Sequence, residues 1–251
     1  MLMRLVTHTL VNGCTWHAAL FAIALLPMVS LAQDAKPKAK RAPNPAFAKI
    51  EDDPKLPRVL LIGDSISIGY TLDVRELLKG KANVHRIPTN GGPTTNGLKN
   101  LKAWLGDGKW DVIHFNWGLH DLVYMGPDGS RLVDPKTPGS KHQVPLDEYE
   151  RNLRELVKQM KATGAALIWC ATTPVPEGTK GRVADESVKF NAAAARVMQA
   201  EGITINDLHT HALKGPKDGQ LPANVHYTAA GSKYLAEQVA RSIEAALKQK
   251  K

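Results

Sequence analysis

The sequence predicts an α/β fold, a three-layer α/β/α sandwich built around a five-stranded parallel sheet. Short apolar runs typical of buried strands alternate with stretches of helical periodicity from Leu56 to the C-terminus. Gly164 and Gly202 lie where two of the helices should end. Because parallel strands are joined by right-handed crossovers, the helices should cover both faces of the sheet.

The elements are expected in a regular order along the chain. A helix over 70–79 should follow the first strand, and later helices are indicated over 146–160 and 235–247, where apolar residues recur at helical spacing. The loop over 122–144 is unusually long, and we interpret it as a lid that shapes a substrate site. Ligands bind such sheets at the carboxyl ends of the strands, so the loops after strands should carry the chemistry. The predicted strands are 58–62, 83–87, 111–116, 165–171 and 203–206.

Two N-terminal segments precede the predicted domain. Residues 1–32 have a weakly basic start, an apolar run and the cleavage pattern Ser30-Leu31-Ala32, which predict a secretory signal peptide. An uncleaved membrane anchor is the alternative, but the run is shorter than the roughly 18 unbroken apolar residues that a span needs. Residues 33–50 are predicted to be a flexible Ala/Pro/Lys-rich linker, and 51–251 a single domain that is exported to the periplasm or the extracellular space.

The net charge of +9 does not indicate a nucleic-acid-binding protein. Six basic residues and one acid lie within 1–50, and three further lysines stand at the C-terminal end, at 248, 250 and 251. The domain itself is therefore close to neutral, without the basic stripe that is typical of DNA binding. Cys14 belongs to the predicted signal and Cys170 ends an apolar strand, so we expect no internal disulfide and a buried Cys170.

The most informative motif follows the first strand. In Gly63-Asp64-Ser65-Ile66-Ser67, a serine stands on the turn after a buried strand, where hydrolases carry nucleophiles. Capping of the next helix is the alternative explanation, since Asp and Ser are both favoured at helix starts. An α/β-hydrolase elbow would need Gly two residues after the serine, and a phosphate-binding P-loop would need a lysine in this turn; the sequence has neither.

Three later segments contain residues that could act together with Ser65. The glycine-rich run over 90–97 follows the second strand, and its backbone N–H groups can approach a developing oxyanion. Residues 116–121, Asn-Trp-Gly-Leu-His-Asp, follow the third strand. Asn224-Val225-His226 precedes the last helix, so His226 can face the same edge of the sheet as Ser65.

Taken together, these segments resemble the SGNH hydrolases, also called GDSL esterases, over about residues 56–247. The resemblance implies a flavodoxin-like SGNH fold in which Ser65 is the nucleophile and His226 its base. The oxyanion hole would be formed by the N–H groups of Ser65 and Gly92, with Gly91 as the alternative to Gly92. His120 stands where the family has asparagine, and either His120, by position, or Asn116, from the strand end, would complete the hole.

The last block departs from the family pattern as well. Ala223 occupies the position of the family's aspartate, three residues before His226. A backbone carbonyl, Asn224 or Asp218 are the candidates for orienting the imidazole in its place. Because the acid of a triad fixes the tautomer and stabilises the imidazolium, its loss would lower the rate without abolishing the chemistry.

The resemblance implies an exported serine esterase that works through an acyl-enzyme and needs neither metal nor cofactor. His209 and His211 form a pair without a third ligand nearby, which does not predict a metal site. The expected substrate is a small-molecule or polysaccharide ester, with an acetylated carbohydrate favoured over a long-chain lipid. We expect neither nucleic-acid binding nor stable membrane insertion, and the sequence leaves the oligomeric state open. A noncatalytic carbohydrate-binding protein on the same fold is the alternative function.

Other polar and aromatic residues near these loops have plainer expected roles. His114 lies inside a strand and should be a core residue, and Asp121 should organise its loop through hydrogen bonds to the backbone. Asp207 is expected to be structural. Trp117 would either stack on a sugar ring at the rim or pack in the core.

Overall fold

The computed structural model describes residues 43–106 and 108–249. The predicted signal peptide and residues 33–42 of the predicted linker lie outside the described residues. The elements in chain order are a 3-10 turn, Pro45–Phe47, followed by β1 Arg58–Ile62, α1 Ser65–Leu77, β2 Asn83–Arg86, α2 Thr94–Leu105, β3 Val112–Phe115, β4 Tyr124–Met125, β5 Lys141–His142, α3 Leu146–Lys161, β6 Ala166–Cys170, α4 Ser187–Ala200, β7 Thr204–Asn206, α5 Leu208–Leu213 and α6 Ala229–Gln249.

A five-stranded sheet in the order β2-β1-β3-β6-β7 forms the centre of the domain, and every pairing in it is parallel. This confirms the predicted fold class. The predicted strands agree with the observed ones to within a residue at each end, because their apolar side chains are buried on both faces, as in β1, where Val59 to Ile62 are all buried. The order reverses at β1 and β3, so the loops that follow these two strands flank the crevice in which ligands of such sheets bind.

The helices form two layers around this sheet. On one side α1 packs against α6, and on the other α3 packs against both α2 and α4. The third helix shows why: Leu153, Leu156 and Met160 form its buried face, acids stand in its first turn and lysines in its last, which suits the helix dipole. Cys170 is free and buried, and burial raises the pKa of its thiol well above the ordinary value.

The described end of the predicted linker is packed against the domain. Residues 45–47 form a 3-10 turn whose Ala46 is buried. Arg75 of α1 donates from Nη1 and Nη2 to the carbonyls of Pro45 and Ala48, at 3.4 and 3.2 Å, and the guanidinium of Arg86 lies 5.2 Å from the centre of the Phe47 ring. These contacts join the C-terminal end of the predicted linker to the domain, and single contacts to distant arginines leave no period in the sequence that would predict them.

The long segment over 122–144 is a compact excursion. The short strands β4 and β5 pair with each other in antiparallel fashion, and the backbone N–H of Tyr124 donates to Gly181 O at 2.9 Å. Leu122, Val123 and Val144 are buried at its two ends. This segment is thereby held beside the loop around Gly181, on the same edge of the sheet as Ser65.

In the part of the chain that the structure describes, no helix is both long and apolar enough to cross a membrane.

Candidate active site

Ser65 is the first residue of α1, directly after the turn that follows β1. Asp64 is the N-cap of this helix, and its Oδ1 accepts a hydrogen bond from Ile66 N at 2.9 Å. The capping hypothesis therefore applies to Asp64 and leaves the hydroxyl of Ser65 free for another partner. That partner is His226, whose Nε2 lies 2.8 Å from Ser65 Oγ.

His226 is placed by the hairpin-like turn that precedes α6. Leu221 N donates to His226 O at 2.9 Å, and Gln220 pairs with Tyr227 in an isolated bridge. The side chain of Asn224 fixes the ring, since its Oδ1 accepts from His226 N at 3.0 Å and lies 2.7 Å from His226 Nδ1. An amide oxygen only accepts, so the ring proton must be on Nδ1, and Nε2 is left with a lone pair towards Ser65.

The three candidates for orienting His226 are thus distinguished by contacts. Asn224 makes the contact to the ring, whereas Asp218 contributes only its backbone carbonyl, to Thr228 Oγ1 at 3.2 Å. Ala223, which replaces the expected carboxylate, has a positive φ of 50° and presents a methyl group to the cavity. Asn224 was among the candidates predicted from the sequence. The sequence does not distinguish it from the others, because the contact depends on the conformation of the turn.

The backbone donors predicted for an oxyanion differ in availability. Ser65 N–H begins α1, and it makes no hydrogen bond to any residue that the structure describes. Gly92, with φ of 62°, has its N–H 2.9 Å from Asn90 Oδ1, so that donor is occupied by a side chain that lines the cavity. Gly91 N donates to Gly63 O at 3.0 Å and is committed to the backbone. Of the two glycines, Gly92 is therefore the one whose donor a ligand can compete for.

His120 and Asn116 also separate clearly. Asn116 Nδ2 donates to Cys170 O at 2.7 Å and to Thr172 Oγ1 at 3.1 Å, which uses both of its amide hydrogens. His120 lines the same cavity as Ser65, and Arg131 Nη2 lies 3.4 Å from its Nδ1. A guanidinium can only donate, so Nδ1 of His120 carries the lone pair and its Nε2 carries the proton. The geometry favours His120 over Asn116 as a donor towards the cavity.

The charge state of His120 follows from its surroundings. Burial lowers the pKa of this imidazole, and the guanidinium charges of Arg131 and Arg182 lower it further, against the opposing effect of Asp64. The ring is therefore neutral at neutral pH. A neutral imidazole with its proton on Nε2 is a hydrogen-bond donor that does not lose its proton to solvent in this range.

Ser65, His120 and His226 line an open cavity of about 440 Å³ at the carboxyl edge of the sheet. The cavity is bounded by the turn after β1, the segment over 119–132, the loop around 179–182 and the turn before α6. Another cavity, of about 680 Å³, lies at the opposite edge, where the strands begin, and is lined by residues such as Leu56, Gly80 and Leu247. It contains neither Ser65 nor His226, so we assign the chemistry to the smaller cavity.

Several residues near the predicted loops have structural contacts. Trp117 is buried, and its carbonyl accepts from Tyr149 Oη at 2.8 Å, so it packs in the core and is not a sugar-stacking residue at the rim. His114 is buried against Asn206, 3.1 Å away, and burial lowers the pKa of His114 to about 3. Asp207 caps α5 by accepting from Thr210 N.

Asp121 ties two of the site loops together. Its Oδ1 accepts from Thr94 N at 2.8 Å and from Thr94 Oγ1 at 2.5 Å, which joins the loop of His120 to the start of α2. Burial raises the pKa of Asp121 to about 7. The expectation that Asp121 organises its loop agrees with these contacts.

The His209 and His211 pair belongs to α5 and not to the cavity. His211 stacks on the ring of Tyr234 at a centroid distance of 4.1 Å, and its Nε2 lies 3.1 Å from Tyr234 O. Within residues 43–106 and 108–249, no group of three or more His, Cys, Asp or Glu side chains is arranged to hold a metal ion.

The three basic residues that line the cavity were not predicted: Arg131, Lys180 and Arg182. They stand in two long loops, where basic residues are common and carry no motif. The pairing of Tyr124 N with Gly181 O, which brings these loops together, depends on backbone conformation and leaves no signal in the sequence.

Residues 61–234 match the model of the GDSL-like lipase/acylhydrolase family. A comparison with curated proteins gives no match. Among solved structures, the chain is similar to a lipase/acylhydrolase from Enterococcus faecalis, with a TM-score of 0.62 and 18% identity, over 75% of this chain and 96% of the other. It is also similar to Axe2, an acetylxylan esterase from Geobacillus stearothermophilus, with a TM-score of 0.58 and 20% identity, over 74% and 94% of the two chains. A GDSL-like lipase from Bacteroides thetaiotaomicron gives a TM-score of 0.56 and 17% identity, over 75% and 88%.

Proposed function

The chain belongs to the GDSL-like lipase/acylhydrolase family, and from this membership we propose that it is an exported serine esterase with Ser65 as the nucleophile and His226 as the base. The observation that carries the proposal is the 2.8 Å hydrogen bond from Ser65 Oγ to His226 Nε2, with His226 Nδ1 held at 2.7 Å by Asn224. A serine hydroxyl on a histidine that is itself oriented by a third side chain is the arrangement that activates a nucleophile.

The reaction proceeds in two half-reactions. Ser65 Oγ bonds to the ester carbonyl carbon while its proton moves to His226 Nε2. The imidazolium then protonates the alcohol oxygen as the ester C–O bond breaks, which leaves an acyl group on Ser65. Water next gives a proton to His226 and adds to the acyl carbon. The acyl–Oγ bond breaks, Oγ recovers the proton, and the carboxylic acid leaves.

Asn224 orients the His226 ring in place of the missing carboxylate. Its Oδ1 holds the Nδ1–H tautomer, so that Nε2 is available to accept the proton of Ser65. A neutral amide stabilises the imidazolium less than a carboxylate does, since it offers a dipole in place of a charge. We therefore expect a working esterase whose base is less strongly supported than in a Ser-His-Asp triad.

The oxyanion of each tetrahedral intermediate would be held by two donors that are in place, Ser65 N–H and His120 Nε2–H. Ser65 N–H stands at the positive end of α1, which adds the helix dipole to the hydrogen bond. Gly92 N–H is the third donor, and it joins when the ligand displaces the Oδ1 of Asn90 that now occupies it. Binding and donor release are thereby coupled at this position.

An acetyl ester of a carbohydrate is the substrate that the observations support best. The cavity is open, its lining includes charged and amide side chains, and one structural neighbour is an acetylxylan esterase. Export is part of the proposal and is supported by the signal pattern over 1–32. The mature protein, purified from the periplasm or the culture medium, should therefore begin at Gln33. The alternative, a noncatalytic carbohydrate-binding protein, gives no reason for the contacts that Ser65, His226 and Asn224 make.

The decisive experiment compares the wild type with Ser65→Ala and with a matched control, Ser242→Ala, whose hydroxyl bonds only to the carbonyl of Val239 in its own helix. We expect wild type and the control to hydrolyse 4-nitrophenyl acetate and to be labelled once by a fluorophosphonate, at Ser65 by peptide mass spectrometry. Ser65→Ala should lose the label and at least about 1,000-fold in kcat/KM. A wild type that neither turns over acetyl to octanoyl esters nor takes the label would falsify the esterase proposal.

A further inference from the structure

The cavity of Ser65 carries an excess of positive charge. Arg131, Lys180 and Arg182 all line it, and of its lining residues that the structure describes only Asp64 is acidic. Asp64 is buried at the floor, where its Oδ1 caps α1. The walls that would face a substrate are therefore cationic, although the domain as a whole is close to neutral.

The two arginines are held in place by neutral groups. Arg182 donates to Leu119 O from Nε and Nη2, at 3.1 and 2.9 Å. Arg131 donates from Nε to Gln143 Oε1 at 3.2 Å and from Nη2 to His120. In each guanidinium, hydrogen bonds to described residues hold Nε and Nη2, and Nη1 is left to bind a ligand.

In the described chain, no carboxylate forms an ion pair with these three cations. Among residues 43–106 and 108–249, the ion pairs involve other side chains, and none includes Arg131, Lys180 or Arg182. Arg182 is half-buried, and desolvation lowers its pKa to about 10, so the fold keeps a charged guanidinium there at a cost. Two hydrogen bonds to Leu119 O and the charge of Asp64 offset part of that cost, but no carboxylate in the described chain forms an ion pair with the guanidinium.

The backbone around these residues is strained in the same place. Leu132 has a φ of 60°, and a Cβ at Gly181 would lie 2.2 Å from Leu132 Cα, so the two cationic loops touch at a position that only glycine allows. Left-handed conformations of non-glycine residues are costly and concentrate at ligand sites. The contact fixes Arg131 and Arg182 on neighbouring walls of one cavity.

We infer that the substrate is an anionic ester, which carries a carboxylate or sulfate group near the scissile bond for Arg131, Lys180 and Arg182 to bind. The inference rests on the proposed esterase function and names the substrate class of that same site. Guanidinium groups bind oxyacid anions through short, charge-assisted hydrogen bonds, and these are strongest where water is partly excluded. An O-acetylated acidic saccharide has both the ester and the anion that this cavity fits.

The test uses two matched pairs of esters on the purified full-length protein. 3-Carboxy-4-nitrophenyl acetate and 4-nitrophenyl acetate differ by an anion in the alcohol part, while mono-4-nitrophenyl glutarate and 4-nitrophenyl butyrate differ by an anion in the acyl part. Each kcat/KM is divided by the hydroxide rate of the same ester to remove intrinsic reactivity. We expect at least one anionic member to exceed its neutral partner by about tenfold or more, because a hydrogen bond between charged groups is a strong one. The preferred pair then shows which part of the ester carries the anion.

Variants locate the effect within the cavity. Lys180→Gln and Arg182→Gln should lower the anionic-to-neutral ratio by about threefold to tenfold each, whereas the matched control Lys189→Gln, exposed on α4, should leave the ratio unchanged. The ratio is the readout because a variant that merely loosens a loop lowers both rates together. Inhibition of 4-nitrophenyl acetate hydrolysis by glucuronate and by glucose 6-sulfate, relative to glucose, distinguishes carboxylate from sulfate.

Three results would overturn the inference: ratios near one for both ester pairs, a ratio that falls as much in Lys189→Gln as in Lys180→Gln, or inhibition by neither anion beyond that of glucose. Each of these leaves the esterase itself standing, because the neutral esters are still hydrolysed. Failure of the proposed function is a different outcome, in which no ester is hydrolysed and Ser65 takes no fluorophosphonate.

Discussion

The two histidines of the cavity, His226 and His120, are set to opposite tautomers by their partners. At His226 an acceptor, Asn224 Oδ1, holds the proton on Nδ1 and leaves a lone pair on Nε2. At His120 a donor, Arg131 Nη2, occupies the lone pair of Nδ1 and leaves the proton on Nε2. In the proposed mechanism, the same type of side chain therefore acts as a base at one position and as a hydrogen-bond donor at the other. The residue type alone does not define the role; the group on the far side of the ring does.

The protein departs from the family pattern at two positions, and at each one a neighbouring side chain supplies a compensating hydrogen bond. The loss of the aspartate at Ala223 is offset by Asn224, which is one residue closer to His226 and reaches the ring through the turn. The replacement of asparagine by His120 is accompanied by Arg131, which keeps the ring a donor in the way that an amide always is. Each departure thus comes with a partner that restores the required hydrogen-bonding direction.

Removal of the base should have the largest effect. We expect His226→Ala to lower kcat/KM for 4-nitrophenyl acetate by about 10⁴-fold, since Ser65 then has no group to take its proton. His209→Ala, on α5, is the matched control and should stay within about twofold of wild type, because its partly buried ring does not line the cavity. Steady-state kinetics on folded protein, checked by circular dichroism, measures both. Comparable losses in the two variants would mean that the cavity assignment is wrong.

Removal of the donor should have the next largest effect. His120→Ala is expected to lower kcat by about 100-fold with little change in KM, because an oxyanion donor acts on the transition state and not on the ground state. His120→Asn supplies an amide donor and should recover most of that loss. If the asparagine variant is as slow as the alanine variant, His120 does not act as a donor to the oxyanion.

The partner of the base can be changed separately from the base. Asn224→Ala should lower kcat by about tenfold to 100-fold, since the ring loses the acceptor that fixes its tautomer. Asn224→Asp places a negative charge beside Nδ1, which stabilises the imidazolium form of the ring and moves the acidic limb of the pH dependence of kcat/KM to higher pH. An acidic limb that is unchanged in Asn224→Asp would show that Asn224 does not contact the working imidazole.

The contact between Ser65 and His226 could be predicted from the sequence better than the contact between Arg131 and His120. Ser65 and His226 stand in short motifs next to regular elements, so their approach at the sheet edge follows from the α/β topology. Arg131 reaches His120 from a long excursion whose path is set by the contact of Leu132 with Gly181 and by the pairing of β4 with β5. Such contacts join residues without periodicity or motif, and the sequence gives no means of predicting them.

Asn116 shows the same limit from the other side. By sequence it is the alternative to His120, which is favoured by position, since Asn116 ends the third strand beside the same loop. Its amide is used by Cys170 O and Thr172 Oγ1, which belong to the neighbouring strand and the loop after it. Which hydrogen bonds a strand-end side chain makes depends on its cross-sheet neighbours, and these are known only once the strand order is known.

Asp121, next to His120, should give the smallest effect on activity and a clear effect on stability. Its carboxyl has a pKa of about 7 in the folded protein, raised by burial from its ordinary value of 3.8, so the folded state holds the proton more tightly than the unfolded state. Its stability contribution is thus fully present below the unfolded pKa and is lost as pH rises through the folded pKa.

In Asp121→Asn the amide oxygen can still accept from Thr94, while the titration is gone. Wild type should therefore lose about 5 °C of Tm relative to Asp121→Asn between pH 4.5 and 8, measured by calorimetry at several pH values. A Tm difference that does not vary with pH would show that Asp121 is ionised throughout this range, and the loop of His120 would then be held by a charged carboxylate.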